Sequence, residues 1–159
     1  MRLFDVVIAI LLAFVLQTVA ARYVPFLAAH LDLFAVVAAG FGLARGRMSG
    51  MVAGAAAGLL QDAFSGGLLG YNGISKTTVG YLSGIVGRHL IIRGFSSRVL
   101  FFVIATLFDM GILAAVGYVA ELPRVVGEGF APLYLCIGNA IAGILLVRVL
   151  DRHPQGDAS

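Results

Sequence analysis

Three stretches of the chain, Val6–Val24, Val99–Ala120 and Ala131–Leu150, each come close to the roughly 20 apolar residues a helix needs to cross the hydrocarbon of a bilayer. In lipid the backbone amides and carbonyls of such a run find partners only within the run, so each must be a helix. The first run holds 19 residues interrupted only by Gln17, Thr18 and Arg22. A secretory leader is the competing reading, with Arg2 as its basic start and Val19-Ala20-Ala21 as a loose cleavage site; the equally apolar remainder favours a retained span. Composition agrees, since 60% of residues are hydrophobic and 12% charged, where soluble domains carry about a quarter. The expected fold class is an all-α polytopic membrane protein, one domain over 1–150 with a short polar tail over 151–159.

Between the long runs lie shorter ones. Leu33–Leu43 and Met48–Leu60 flank Ala44-Arg45-Gly46-Arg47. Extended to Pro25–Arg45 and Arg47–Ala63 they just cross, and the alternative is a pair of half-length helices that dips in and returns. Ile74–Val86 is the next helix, followed by a connector from Gly87 to Arg98. The total is six spans, some of them short, with no fixed-period repeat of a solenoid or inverted-repeat transporter. Basic residues test that number. With both termini inside, Arg2, Arg45, Arg47, Arg88, Arg93, Arg98, Arg148 and Arg152 fall in cytoplasmic positions, and Arg22, Lys76 and Arg124 fall outside. Four or five spans would break the alternation.

Glycine and polar residues indicate how the helices meet. Gly50, Gly54 and Gly58 recur every four residues and put three side-chain-free positions on one helix face; Gly80 and Gly84 repeat the spacing on the next helix, and Ala9 with Ala13 on the first. Asp109 and Asn139 stand inside apolar runs, where an unpaired charge costs at least a few kcal/mol. A polar cavity, a proton or ion path or a partner helix is the sharper reading of Asp109; the plainer and expected one is a packing residue, hydrogen-bonded to a group such as Asn139 or Thr106 or kept protonated. Asp62 and Lys76 flank a glycine-rich turn and are expected either to pair across it or to reach interfacial water.

Catalytic patterns are missing. His30, His89 and His153 lack ligand spacing, and the single Cys136 can form neither an internal disulfide nor a thiolate cluster. Ser65-Gly66-Gly67 has no nucleophile-elbow context, and the glycines that run through Gly70 to Gly73 lack the Gly-Lys-Ser/Thr of a phosphate loop. No cofactor, metal or nucleic-acid partner is expected. The connector with Arg88, Arg93 and Arg98 suits the inner membrane surface, its arginines toward anionic head groups; a docking site for a cytoplasmic protein is the sharper alternative.

Four strings, Asp32-Leu33-Phe34, Gly42-Leu43-Ala44-Arg45-Gly46, Gly58-Leu59-Leu60-Gln61-Asp62-Ala63-Phe64-Ser65-Gly66-Gly67-Leu68-Leu69-Gly70 and Val79-Gly80-Tyr81-Leu82-Ser83-Gly84, resemble the rod shape-determining protein MreD family. The likeness runs from about Asp32 to Gly84; one departure is Leu31, where the family commonly has proline. It implies a non-enzymatic scaffold of the bacterial elongation machinery in the inner membrane, governing cell shape and peptidoglycan synthesis. The implied partners are the bitopic MreC, the actin-like MreB and a RodA/penicillin-binding synthase pair, with self-association left open. The motif turn, with Asp62, Ser65, Gly66, Gly67, Gly70 and Tyr71, is the expected partner contact. The six-helix plan is also similar to the S components of energy-coupling-factor vitamin transporters, whose docking spacing Ala9 and Ala13 would fit. A vitamin site calls for more polar and aromatic groups than the outer loops offer.

Single cysteines at Glu128 and Gly156, in a Cys136→Ser background, are expected to react with impermeant maleimide from opposite sides of the membrane. Same-side labelling would overturn the six-span topology.

Overall fold

A computed structural model describes residues 3–66, 68–90, 92, 94–121 and 130–152. The described residues form α1 (Leu3–Tyr23), α2 (Pro25–Ala29), α3 (Leu33–Arg45), α4 (Arg47–Ser65), α5 (Tyr71–His89), α6 (Phe95–Val119) and α7 (Ala131–Arg152), with no strand among them. The long helices number six, and α2 is a single turn set off by proline. Pro25 lacks an amide hydrogen and disfavours helical backbone at Val24, so α1 stops and α2 restarts with proline in its first position. By length and apolar character, the helical stretches Phe4–Tyr23, Phe95–Val119 and Ala131–Arg152 suffice to cross a membrane.

Two boundaries differ from expectation. The stretch Pro25–Arg45 is not one helix, because the chain leaves helical geometry between Ala29 and Leu33 and Asp32 caps α3 by accepting from the Ala35 amide at 3.0 Å. The connector expected over Gly87–Arg98 is shorter, since Arg88 lies in the last turn of α5 and Arg98 in the first turn of α6. Arg93 lies outside the described residues, as do Arg2, Gly67, Arg124, Glu128, His153 and most of the tail.

Contacts fix the helix directions. Cβ atoms added at Gly50, Gly54 and Gly58 would strike the backbone of Gly80, Lys76 and Asn72 in turn, so α4 and α5 run antiparallel with their backbones touching. Gly80 and Gly84 present the reverse faces, against Gly50 and against Gly46 with Arg47. Gly42 joins them, its α-carbon beside Gly50 and its own added Cβ against the Gly80 carbonyl. Without a hydrophobic force between helices in lipid, this approach lets dispersion and weak Cα–H···O contacts hold them together. The reversal from α3 to α4 takes one residue, Gly46, at φ +88°, which an L side chain rarely adopts.

Helix α3 is central. Every residue from Phe34 to Gly42 is buried, and α1, α4, α5, α6 and α7 all pack on it. With 13 residues it is about 20 Å long, roughly 10 Å less than the hydrocarbon thickness. Because its C-terminal end is tied to the start of α4, its N-terminus at Asp32 stops inside the bundle, level with the second turn of α5. The start of α1 and the end of α7 share one face: Asp5 pairs with Arg45 at 3.3 Å, Arg98 with Asp151 at 2.7 Å, and Val6 and Leu150 share a core cluster. That face carries Arg45, Arg47, Arg88, Arg98, Arg148 and Arg152, while the opposite end shows Arg22.

Gly54→Leu is expected to drive α4 and α5 apart and abolish the folded species, since the added atoms meet backbone that cannot turn aside. Size-exclusion profiles in mild detergent read this directly. A monodisperse, full-yield Gly54→Leu protein would contradict the packing.

Candidate functional site

The glycine-rich turn between α4 and α5 is organised by one carboxylate. Asp62, in the last turn of α4 and 2% exposed, accepts four hydrogen bonds from the segment that follows it. Its Oδ1 receives the Asn72 backbone N–H and side-chain amide, both at 2.9 Å, and its Oδ2 receives the N–H groups of Gly70 at 2.8 Å and Gly73 at 3.1 Å. These amides open α5, so Asp62 caps a helix other than its own and sits at the positive end of its dipole. Gly66, at φ +67°, ends α4 in left-handed geometry, and Gly70, at φ +95°, precedes α5. Ser65 Oγ donates to the Asp62 carbonyl at 3.3 Å, and the Tyr71 hydroxyl donates to the Leu113 carbonyl of α6 at 2.8 Å.

One turn into α5 lies a second polar centre. Lys76 is 0% exposed. Its ammonium pairs with Asp32 Oδ2 at 2.9 Å and donates to Asn72 Oδ1 at 3.0 Å and Asp109 Oδ2 at 3.3 Å. Asp109 Oδ1 also meets the Ser75 hydroxyl. Beside them Asn139 Oδ1 accepts the Asp32 backbone N–H at 2.8 Å, and its Nδ2 donates to Thr106 Oγ1 at 3.2 Å. Gln17 closes the α1 side, its Nε2 donating to the Leu31 carbonyl and its Oε1 accepting from the Leu33 amide. Polar groups from α1, α3, α4, α5, α6 and α7 therefore form one junction beneath the end of the bundle opposite the termini.

This arrangement revises three expectations. Asp62 and Lys76 do not pair; Asn72 stands between them, giving its amide to one and its carbonyl oxygen to the other. Lys76 is no outer-loop charge, because two carboxylates from other helices draw it into the interior. Asp109 bonds Ser75 and Lys76, whereas Asn139 and Thr106 bond each other. Asp32, Asn72 and Ser75 were not singled out for this role, although two signals existed: an Asp before an apolar run is a helix cap, and Asn72 and Lys76 are four residues apart on one face. Gly42 and Gly87 likewise pack against backbone, at Gly80 and Leu43. Among the described residues, no group of three or more His, Cys, Asp or Glu side chains could hold a metal.

A family model described as rod shape-determining protein MreD matches residues 1–150 of the 159. The chain belongs to this family. No curated protein and no solved structure matches it. The match extends beyond Gly84 and covers α6 and nearly all of α7. It makes the chain a component of rod-shape determination, and the long apolar helices make it a membrane protein.

Asp62→Ala leaves four donors, one buried and three part-buried, without their acceptor, a loss on the order of 3 kcal/mol. The expected result is a lower thermal midpoint in detergent and faster proteolysis at the turn around Gly66 and Gly70. Unchanged values for both would remove Asp62 from its capping role.

Proposed function

We propose that this chain is a non-enzymatic scaffold of the bacterial elongation machinery that binds the transmembrane helix of an MreC-like bitopic partner. It crosses the inner membrane six times with both termini cytoplasmic. The family supplies the shape-determining context. The distribution of arginines supports the orientation, because cytoplasmic ends of membrane helices carry the basic excess. On that face Arg88 is assigned to anionic head groups, as the sequence assigns the connector residues Arg93, outside the described residues, and Arg98, which also pairs with Asp151, near the level at which an MreB-like filament runs. The RodA/penicillin-binding synthase pair works with the other end, and the chain couples the two.

The observation that carries this reading is where the polar chemistry lies. Asp62, Lys76, Asp109 and Asn139 are buried and occupied with one another or with backbone, while Gly50, Gly54, Gly58, Gly80 and Gly84 face neighbouring helices. What faces outward is broad and apolar: Val7, Leu11 and Val15 on α1, Ile104 and Leu107 on α6, and Ile137 and Ile141 on α7. At the motif turn Phe64, Leu68 and Leu69 are exposed and Ile74 continues the patch onto α5. We assign the partner contact to this turn and the helices on either side of it. A single apolar helix can lie along such a face, held by packing rather than by charge.

Co-expression with an MreC-like partner and purification in mild detergent tests the assignment. Leu68→Asp with Leu69→Asp is expected to leave the protein monodisperse and to lower recovered partner on the order of tenfold, equivalent to ~1.4 kcal/mol. A wild-type chain that recovers no partner, and instead holds a vitamin tightly, would replace the scaffold reading with that of a transporter S component.

A further inference from the structure

The charges of the buried junction do not balance. Lys76 Nζ has three polar contacts, an ion pair with Asp32 Oδ2 and hydrogen bonds to Asn72 Oδ1 and Asp109 Oδ2, the surroundings of an ammonium. Two carboxylates facing one ammonium leave one negative charge over. No neighbour offsets it. On α4, Asp62 has its own four N–H donors; on α5, Tyr71 donates its hydroxyl to Leu113; Thr106 of α6, Asn139 of α7 and Gln17 of α1 are neutral. Among the described residues, neither Asp32 nor Asp109 has an ion pair other than with Lys76. An uncompensated charge at this depth is disfavoured strongly enough that the missing counter-charge must be a proton.

Geometry says which oxygen holds it. Asp32 makes the shorter contact to Lys76, caps the N-terminus of α3 where the helix dipole favours an anion, and keeps 16% side-chain exposure. Asp109 lies within α6 at 5% side-chain exposure, with the longer contact to Lys76. The Ser75 hydroxyl lies within bonding distance of both Asp109 Oδ1 and the Asp109 backbone carbonyl. A hydroxyl has one hydrogen and cannot serve two acceptors equally. Both contacts are satisfied when a hydrogen on Asp109 Oδ1 is donated to Ser75 Oγ and the Ser75 hydrogen is donated to the carbonyl.

We propose that Asp109 is the neutral acid and Asp32 the counter-ion of Lys76, so that the joint between the α6–α7 hairpin and the core holds one releasable proton. The hairpin is fastened to the core here, through Asp109 to α5 and Asn139 to the start of α3. With the proton in place the joint is neutral. Its release would set a second carboxylate facing Asp32 across one ammonium and remove the hydrogen bond that Asp109 donates to Ser75, an arrangement that does not depend on which partner the chain binds.

Isosteric substitution separates the two carboxylates. Asp109→Asn reproduces the neutral acid, its amide N–H donating to Ser75, and is expected to keep the yield of monodisperse protein in mild detergent within about twofold of wild type. Asp32→Asn leaves Lys76 with Asp109 alone, which must give up its proton and its hydrogen bond to Ser75 to act as counter-ion, and is expected to lower that yield on the order of tenfold. Paired variants guard against simple misfolding: Lys76→Met with Asp32→Asn restores a neutral junction and recovers yield, whereas Lys76→Met with Asp109→Asn leaves Asp32 unpaired and does not. Infrared spectra should show a carboxylic-acid carbonyl band in the wild type that Asp109→Asn removes. Equal losses for the two single variants, recovery by the opposite pair, or no acid band sensitive to Asp109 would each overturn the assignment.

Discussion

A lysine ammonium with no solvent exposure governs the arrangement of this bundle. Lys76 needs three acceptors, and it takes one from its own helix, one from α3 and one from α6. Helix α3 can supply Asp32 at that depth only because it is short, starting about two turns inside the level where a full span would begin. Helix α6 supplies Asp109 only when Ser75 and Tyr71 also meet it, which fixes its rotation and height against α5. Removing one member of such a set exposes the others as unpaired charge, so the cluster specifies one register among packings that small residues alone would leave nearly equivalent.

The apolar frame was readable because it is local. Spans of about 20 apolar residues, a proline break after α1 and glycines every four residues each leave their signature within one window of sequence. The gathering of Arg45, Arg47, Arg88, Arg98, Arg148 and Arg152 on one face is likewise written along the chain. The polar interior was less legible because its members are distant in the chain: Asp32 and Asn139 are 107 positions apart, Ser75 and Asp109 are 34 apart. Nearest in sequence, Asp62 looked like the partner of Lys76. Sequence proximity misled there because both residues sit beside one turn, whereas Lys76 turns away from it into the bundle.

The family string Gly58 to Gly70, with the first residues of α5 that follow it, reads physically as instructions for a tight helical hairpin. Gly58 lets α4 touch α5 at Asn72, Gly66 and Gly70 adopt the positive φ values that end one helix and precede the next, and Asp62 gathers the amides that open α5. Each residue type has a separate reason. A side chain at Gly58 would meet backbone, a Cβ at Gly66 or Gly70 would be strained, and only an acceptor-only group such as a carboxylate takes four N–H bonds at once. The apolar residues Leu68 and Leu69 are under no such demand from the fold, which frees them for a surface role.

Interposing Asn72 between Asp62 and Lys76 resolves what a direct pair could not. Asp62 already has four donors and gains little from a cation, whereas Asp32 would stand at membrane depth with only the Ala35 amide to offset its charge. An asparagine donates through nitrogen and accepts through oxygen, so it joins a carboxylate to an ammonium without drawing charge from either. The cation stays available to α3 and α6, which meet at that level through Asp32 and Asp109. The turn and the buried cluster thus remain chemically separate, with Asn72 bonded to both.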